Sequence, residues 1–210
     1  MTPTPPNMAN PTLDSPSLPL EPTLEPRISL HNLPWDSYES LLTLVGNRPR
    51  LRLTYLAGTL EIMTISPDHE MLKTMIARLL YTYADVQGID LFSCGSATFK
   101  NAATDRGLEP DESFCIGQRK PFPDLAIEIV LSSGGINKLA VYQGLGIPEV
   151  WFWQNGRFCL YGLDALGTAY TPLSRSILFP DLDLDRLAQL VQPDHEPQAI
   201  RQFRQSLQSP

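Results

Sequence analysis

Residues 123–131 read Pro-Asp-Leu-Ala-Ile-Glu-Ile-Val-Leu, and no other stretch of the chain limits the fold as tightly. Apolar side chains at nearly every position suit a strand covered on both faces, so this run predicts the centre of a sheet with helices packed against it. Side chains alternate across a strand, which puts Asp124, Ala126 and Glu128 on one face and Leu125, Ile127 and Ile129 on the other. Glu128 is thus an acid inside an apolar strand. Burying a carboxylate without a partner is costly, so it calls for a cation, a hydrogen-bond donor or a metal beside it. A structural salt bridge and a functional site both meet that demand.

The flanking sequence supplies the rest of an α/β (mixed α+β) domain. Helical spacing of Leu41, Leu42 and Val45, closed by Gly46, predicts a short helix. Residues 50–55 and 59–65 form two β-rich runs around Leu56-Ala57-Gly58, a hairpin with Glu61 in its second strand. Ser66-Pro67-Asp68-His69 opens the longest helical pattern, which ends near Gly88. Short strands are expected at 91–94, 97–100 and 113–116, and residues 104–107 read as a polar loop leading to Glu109-Pro110-Asp111. After the central run, Ser132-Ser133-Gly134-Gly135 turns the chain into a helix from Ile136 to Leu145. Asn155-Gly156, between two β-rich runs, signals a type I′ hairpin. Residues 183–191 and 197–207 are expected to be helical.

At 210 residues the chain suits one domain with tails. Eight prolines within the first 26 residues predict a disordered or loosely docked arm over 1–27, followed by the domain at 28–192 and a peripheral C-terminal helix at 193–210. Net charge is -7, which excludes a broad basic surface that coats nucleic acid, though not an enzyme meeting a phosphodiester through an ion and a few local cations. Cys94, Cys115 and Cys159 are too few and too scattered for a disulfide framework or a zinc site. With no long apolar span and no signal-peptide pattern at the start, a cytoplasmic protein without membrane contact is expected.

Three residues form the candidate chemistry. Asp111 follows a proline and enters a β run, where its carboxylate can point at a neighbouring strand end. Together, Asp111 and Glu128 would make a hard oxygen site for Mg2+ or Mn2+. Lys138 shares a helix face with Tyr142 and Leu145, and its long stem can return the ammonium to the strand end. There it would stabilise developing phosphorane charge or help orient and deprotonate the attacking water. A solvated surface lysine is the alternative. Asp124 lies four residues from Glu128 along the strand, roughly 13 Å away, too far to share one ion.

The block from Pro123 to Trp153 resembles the restriction-endonuclease family abundant in cyanobacteria, a branch of the PD-(D/E)XK superfamily. Gly58-Thr59-Leu60-Glu61 through His69-Glu70, and Gly107-Leu108-Glu109-Pro110-Asp111-Glu112, extend the likeness over about residues 30–190. The resemblance implies a restriction endonuclease-like core, a central mixed sheet flanked by helices, with an added N-terminal helix and hairpin. It also implies Asp111 and Glu128 as metal ligands. Lys138 would be a lysine moved off the strand, since the E-x-K position holds Val130. Glu61 and His69 would line or support the site. Glu61 could instead pair with Arg50 or Arg52 across the hairpin, and His69 could simply cap its helix.

The function expected is a divalent-metal-dependent endonuclease hydrolysing DNA. The alternative is a catalytically inactive nuclease-like module serving as a dimeric interaction or regulatory protein, suggested by the acidic charge, the Pro-rich arm and the apolar residues 150–153. A homodimer is one arrangement that segment would serve. Trp151 and Trp153 could also offer a base-stacking platform, although alternation on a strand favours packing on one sheet face or at a dimer contact. A carboxylate-pair glycosidase fits less well, since such sites usually need no neighbouring lysine.

Overall fold

A computed structural model describes residues 25–46, 48–132 and 134–208. Most of the expected arm, residues 1–24, lies outside the described residues. The run read as a central strand forms β8 (Leu125–Val130), with five of its six residues buried. It shares a sheet with β4 (Leu91–Ser93) and β7 (Glu112–Ile116), which precede it in the chain, and with β9 (Glu149–Gln154), which follows. With β10 (Arg157–Leu163) and β11 (Tyr170–Leu173) they make a six-stranded mixed sheet ordered β11-β10-β9-β8-β7-β4. β8 runs antiparallel to β7 and parallel to β9. A parallel pair needs a crossover, which the helix α3 (Lys138–Leu145) supplies. The alternation on β8 holds. Leu125, Ile127 and Ile129 join the main core, whereas Ala126 packs in a second cluster with Val141, Tyr142 and Leu145 of α3. Glu128 therefore faces α3.

The hairpin of β2 (Leu51–Leu56) and β3 (Thr59–Thr64) is larger than a decoration, because it forms the middle of a second, antiparallel sheet. That sheet adds β1 (Arg27–Leu30), β5 (Phe99–Asn101) and β6 (Arg106–Leu108), in the order β1-β3-β2-β6-β5. The expected polar loop at 104–107 thus gives way in part to a strand. β6 has little apolar sequence of its own and is held by pairing on both edges, with Gly107 opposite Tyr55 and Lys100. Gly107 is required there, since a Cβ would lie 2.4 Å from the Tyr38 hydroxyl. Tyr38, from α1 (Trp35–Val45), stacks on Tyr55 with ring centroids 4.9 Å apart.

The long helix α2 (Pro67–Gln87) covers the main core, capped by the Ser66 hydroxyl, which accepts the His69 backbone N–H. α5 (Glu196–Gln208), expected at the periphery, turns Ala199, Ile200 and Phe203 into the same core. A shorter helix, α4 (Leu184–Gln189), precedes it. Trp151 and Trp153 are also buried there, which removes them as a base-stacking platform; Phe158 packs edge-on against both. Asn155 and Gly156 turn the β9–β10 hairpin with φ of 51° and 74°, as the type I′ signal requires. No helix among the described residues is long and apolar enough to cross a membrane.

Candidate active site

Glu128 is fully buried, and both of its oxygens are partnered from α3. Lys138 Nζ donates to Oε2 at 2.5 Å, and the Tyr142 hydroxyl donates to Oε1. One helical turn separates Lys138 from Tyr142, so a single face delivers both donors to the strand. The lysine side chain is only 16 % exposed, which sets aside the solvated alternative. Tyr142 has no assigned role in the sequence reading, yet its place on the Lys138 face was the signal for it.

Asp111 sits on the short link into β7, 1 % exposed. Its Oδ2 accepts the Ile129 backbone N–H at 2.8 Å, which ties it to the strand that carries Glu128. Oδ1 lies 2.9 Å from His69 Nε2, without the alignment of a hydrogen bond, and 3.8 Å from Arg52 Nε, too far for one. His69 is wholly buried near the start of α2, with its Nδ1 2.6 Å from Glu25 Oε1. Its backbone N–H fills the cap, while its ring reaches Asp111. Arg52 and Glu25, the latter from the stretch expected as an arm, are additions that no local pattern in the sequence marked.

Glu61 does not pair with Arg50 or Arg52. It is 2 % exposed and its Oε2 accepts the Ile136 backbone N–H at 3.2 Å, holding the loop that precedes Lys138. Asp124 stands apart, bound to Lys120 at 2.7 Å and to the Ile116 N–H at 2.8 Å. The structure thus brings Asp111, Glu128 and Lys138 into one buried group, flanked by His69 on one side and Glu61 on the other.

The charges of this group interlock. Burial pushes the Glu128 carboxyl up; Lys138 opposes this and Asp111 adds to it, leaving it at about 7. Burial also works against ionised Asp111, but Lys138, His69 and the Ile129 N–H prevail and hold it well below the usual carboxylate range. For His69, burial disfavours the charged ring, yet the hydrogen-bonding reach and charge of Asp111 and Glu25 raise it to about 9. Lys138 is likewise raised: desolvation is outweighed by Glu128 and Asp111. A cleft of about 350 Å³ opens beside the group, lined among others by Arg27, Asn137, Lys138, Gln154 and Tyr161.

These elements, from the hairpin to the α3 crossover, fall within a continuous match to a family model over residues 35–190. The chain belongs to the Uma2 family. That family is described as "putative restriction endonuclease", in accord with the mixed α+β architecture and with a nuclease-like function. No curated protein matches the chain.

Among the described residues, no group of three or more His, Cys, Asp or Glu is arranged as a ready metal cage. An octahedral Mg2+ needs less, since it retains several waters and takes one or two carboxylates. Asp111 offers that chemistry through a buried, ionised carboxylate whose Oδ1 has no aligned donor. Each Glu128 oxygen accepts one donor and keeps a lone pair. The donor set fits a hard divalent cation.

Proposed function

We propose that this Uma2-family chain is a divalent-metal-dependent endonuclease that hydrolyses DNA phosphodiester bonds by water attack. The observation that carries this reading is the convergence of Asp111, Glu128 and Lys138 from three separate elements in one buried group. Asp111 and Glu128 would hold Mg2+ or Mn2+. When bound, such an ion supplies a Lewis acid for phosphoryl oxygen and acidifies water.

The chain's own groups then have distinct tasks. Asp111 is fixed in direction by the Ile129 N–H on Oδ2, and Oδ1, which has His69 Nε2 at 2.9 Å, is the atom that would meet the ion. Lys138 serves as an ammonium: with its pKa raised it holds its proton at neutral pH, so charge stabilisation on the phosphorane suits it better than proton abstraction. Tyr142 orients Glu128, and Glu61 fixes the loop that aims Lys138. The cleft, lined by Lys138, Glu61 and Ile129, would bring a phosphodiester to the lysine, while Asp111 and Glu128 lie buried behind it.

Purified protein is expected to nick or linearise supercoiled plasmid only with Mg2+ or Mn2+ present. Asp111→Asn and Glu128→Gln should each slow cutting by on the order of 100-fold or more. Asp111→Asn protein that cuts as fast as wild type, or wild type that leaves DNA intact across salts with either metal, would sink this reading in favour of an inactive module.

A further inference from the structure

The polar contacts of the segment just before the family-matched stretch have no explanation in packing. β1 is an edge strand whose residues Ile28, Ser29 and Leu30 are exposed, Ile28 by 62 %. It brings almost no apolar surface to the core. It is nevertheless held in register on β3, with Ser29 opposite Glu61, and the Thr64 N–H donates to the Pro26 carbonyl. The two inward side chains of this segment, Glu25 and Arg27, both go to the candidate site.

We propose, resting on the endonuclease reading, that Glu25 and Arg27 are positioning residues of the site, Glu25 for the His69–Asp111 contact and Arg27 for the loop carrying Lys138. Glu25 is 4 % exposed, and its Oε1 faces His69 Nδ1 at 2.6 Å and accepts the Ser66 N–H at 3.4 Å. His69 therefore has a carboxylate at each ring nitrogen, Glu25 on one side and Asp111 on the other. A ring held at both ends cannot turn without giving up one contact. Glu25 so fixes the direction from which His69 meets the carboxylate that would hold the ion, the part that outer partners play around metal ligands.

Arg27 acts at the opposite end of the group. Its Nη1 donates to the Gly134 carbonyl, and its Nη2 donates to Ser132 Oγ at 2.8 Å and the Ser132 carbonyl at 3.2 Å. Gly134 and Gly135, at φ of 96° and 97°, give this loop a backbone that side chains rarely adopt. Such a loop has little to stiffen it from within. The planar Arg27 fork on one side and Glu61 on Ile136 N–H on the other clamp it. Lys138 follows directly and meets Glu128.

Substitutions in the full chain separate this proposal from a plain sheet-edge role. Glu25→Gln should weaken Mn2+ binding, read by titration calorimetry, roughly 10-fold. Arg27→Ala should lower kcat for plasmid cleavage roughly 10-fold and weaken Mn2+ binding less than Glu25→Gln does, because its own hydrogen bonds go to Gly134 and Ser132 and it reaches Glu128 only through Lys138. Arg27→Lys, which keeps the charge but lacks the fork, should show the same loss and guards against a poorly folding alanine variant. Ile28→Ser, on the solvent side of the same strand, should change neither quantity. If Glu25→Gln and both Arg27 variants shift only the melting temperature, the proposal is overturned while the endonuclease reading stands. If wild type neither binds Mn2+ nor cuts, both fall together.

Discussion

Replacing Tyr142 by Phe removes one hydroxyl from a fully buried place and leaves the ring in the apolar cluster that includes Ala126 and Val150. That hydroxyl is the donor to Glu128 Oε1. A hydrogen bond to a charged group is worth about 1.5–3 kcal/mol, so a loss of about 2 kcal/mol is expected when Glu128 is ionised. For a chain of 210 residues this lowers the melting temperature by roughly 4–8 °C. The pH dependence has a definite sign. Burial is the main reason the folded Glu128 carboxyl lies near 7, above its ordinary 4.5. Between those values the folded state binds more protons than the unfolded one, so stability falls as pH rises through that window and levels off above it. Losing the Tyr142 donor raises the carboxyl further and extends the decline above pH 7. The deficit of the variant should therefore grow from pH 6 to pH 8. Calorimetric melting of wild type, Tyr142→Phe, Glu128→Gln and the double variant measures the coupling directly. In the Glu128→Gln background only a neutral bond is lost, and the cost should drop to about 1 kcal/mol. An equal cost in both backgrounds, or a deficit that is flat with pH, would refute a Tyr142–Glu128 bond of this kind.

Other outcomes follow from single contacts. Gly135→Ala places a Cβ 2.3 Å from Glu61 Oε2 and 2.6 Å from Arg27 Nη1 at a φ of 97°, so it should displace the Lys138 loop and slow metal-dependent cleavage roughly 10-fold or more. Its melting temperature should change far less than its rate. Glu149, 1 % exposed, accepts Trp151 Nε1 at 2.6 Å and the Ile177 and Leu178 N–H groups at 2.9 and 3.3 Å. Glu149→Ala leaves these donors without their acceptor and should cost about 3 kcal/mol in denaturant unfolding, with no change expected in the identity of the required metal. Burial and the Cys115 thiol, 3.4 Å away, push the Cys94 thiol up to about 11. Alkylation at pH 8, followed by mass spectrometry, should find Cys94 on the order of 10-fold or more slower than free cysteine.

Much of this molecule was legible in the chain because the informative signals are local. Alternation along 123–131 placed Glu128 on the face of Ala126, opposite Ile127 and Ile129, the Ser66-Pro67 start and Gly88 end bounded α2, and Asn155-Gly156 located a hairpin. The link between Lys138 and Glu128 could be anticipated from reach and resemblance, and the same helical spacing put Tyr142 beside it. Tertiary structure decided what local patterns do not encode. β1 and β6 are short, and the apolar residues of β1 face solvent, so their pairing partners make them strands. Glu25 and Arg27 lie in a proline-rich region whose composition says nothing of partners 44 and 105–107 residues away. His69 could be read as a cap until the fold set its ring between two carboxylates. Sequence determined which residues are costly to bury alone, because burial and charge are properties of the strand and side chain; only the fold decided which distant groups meet that cost, because those contacts depend on chain closure rather than on neighbours in sequence.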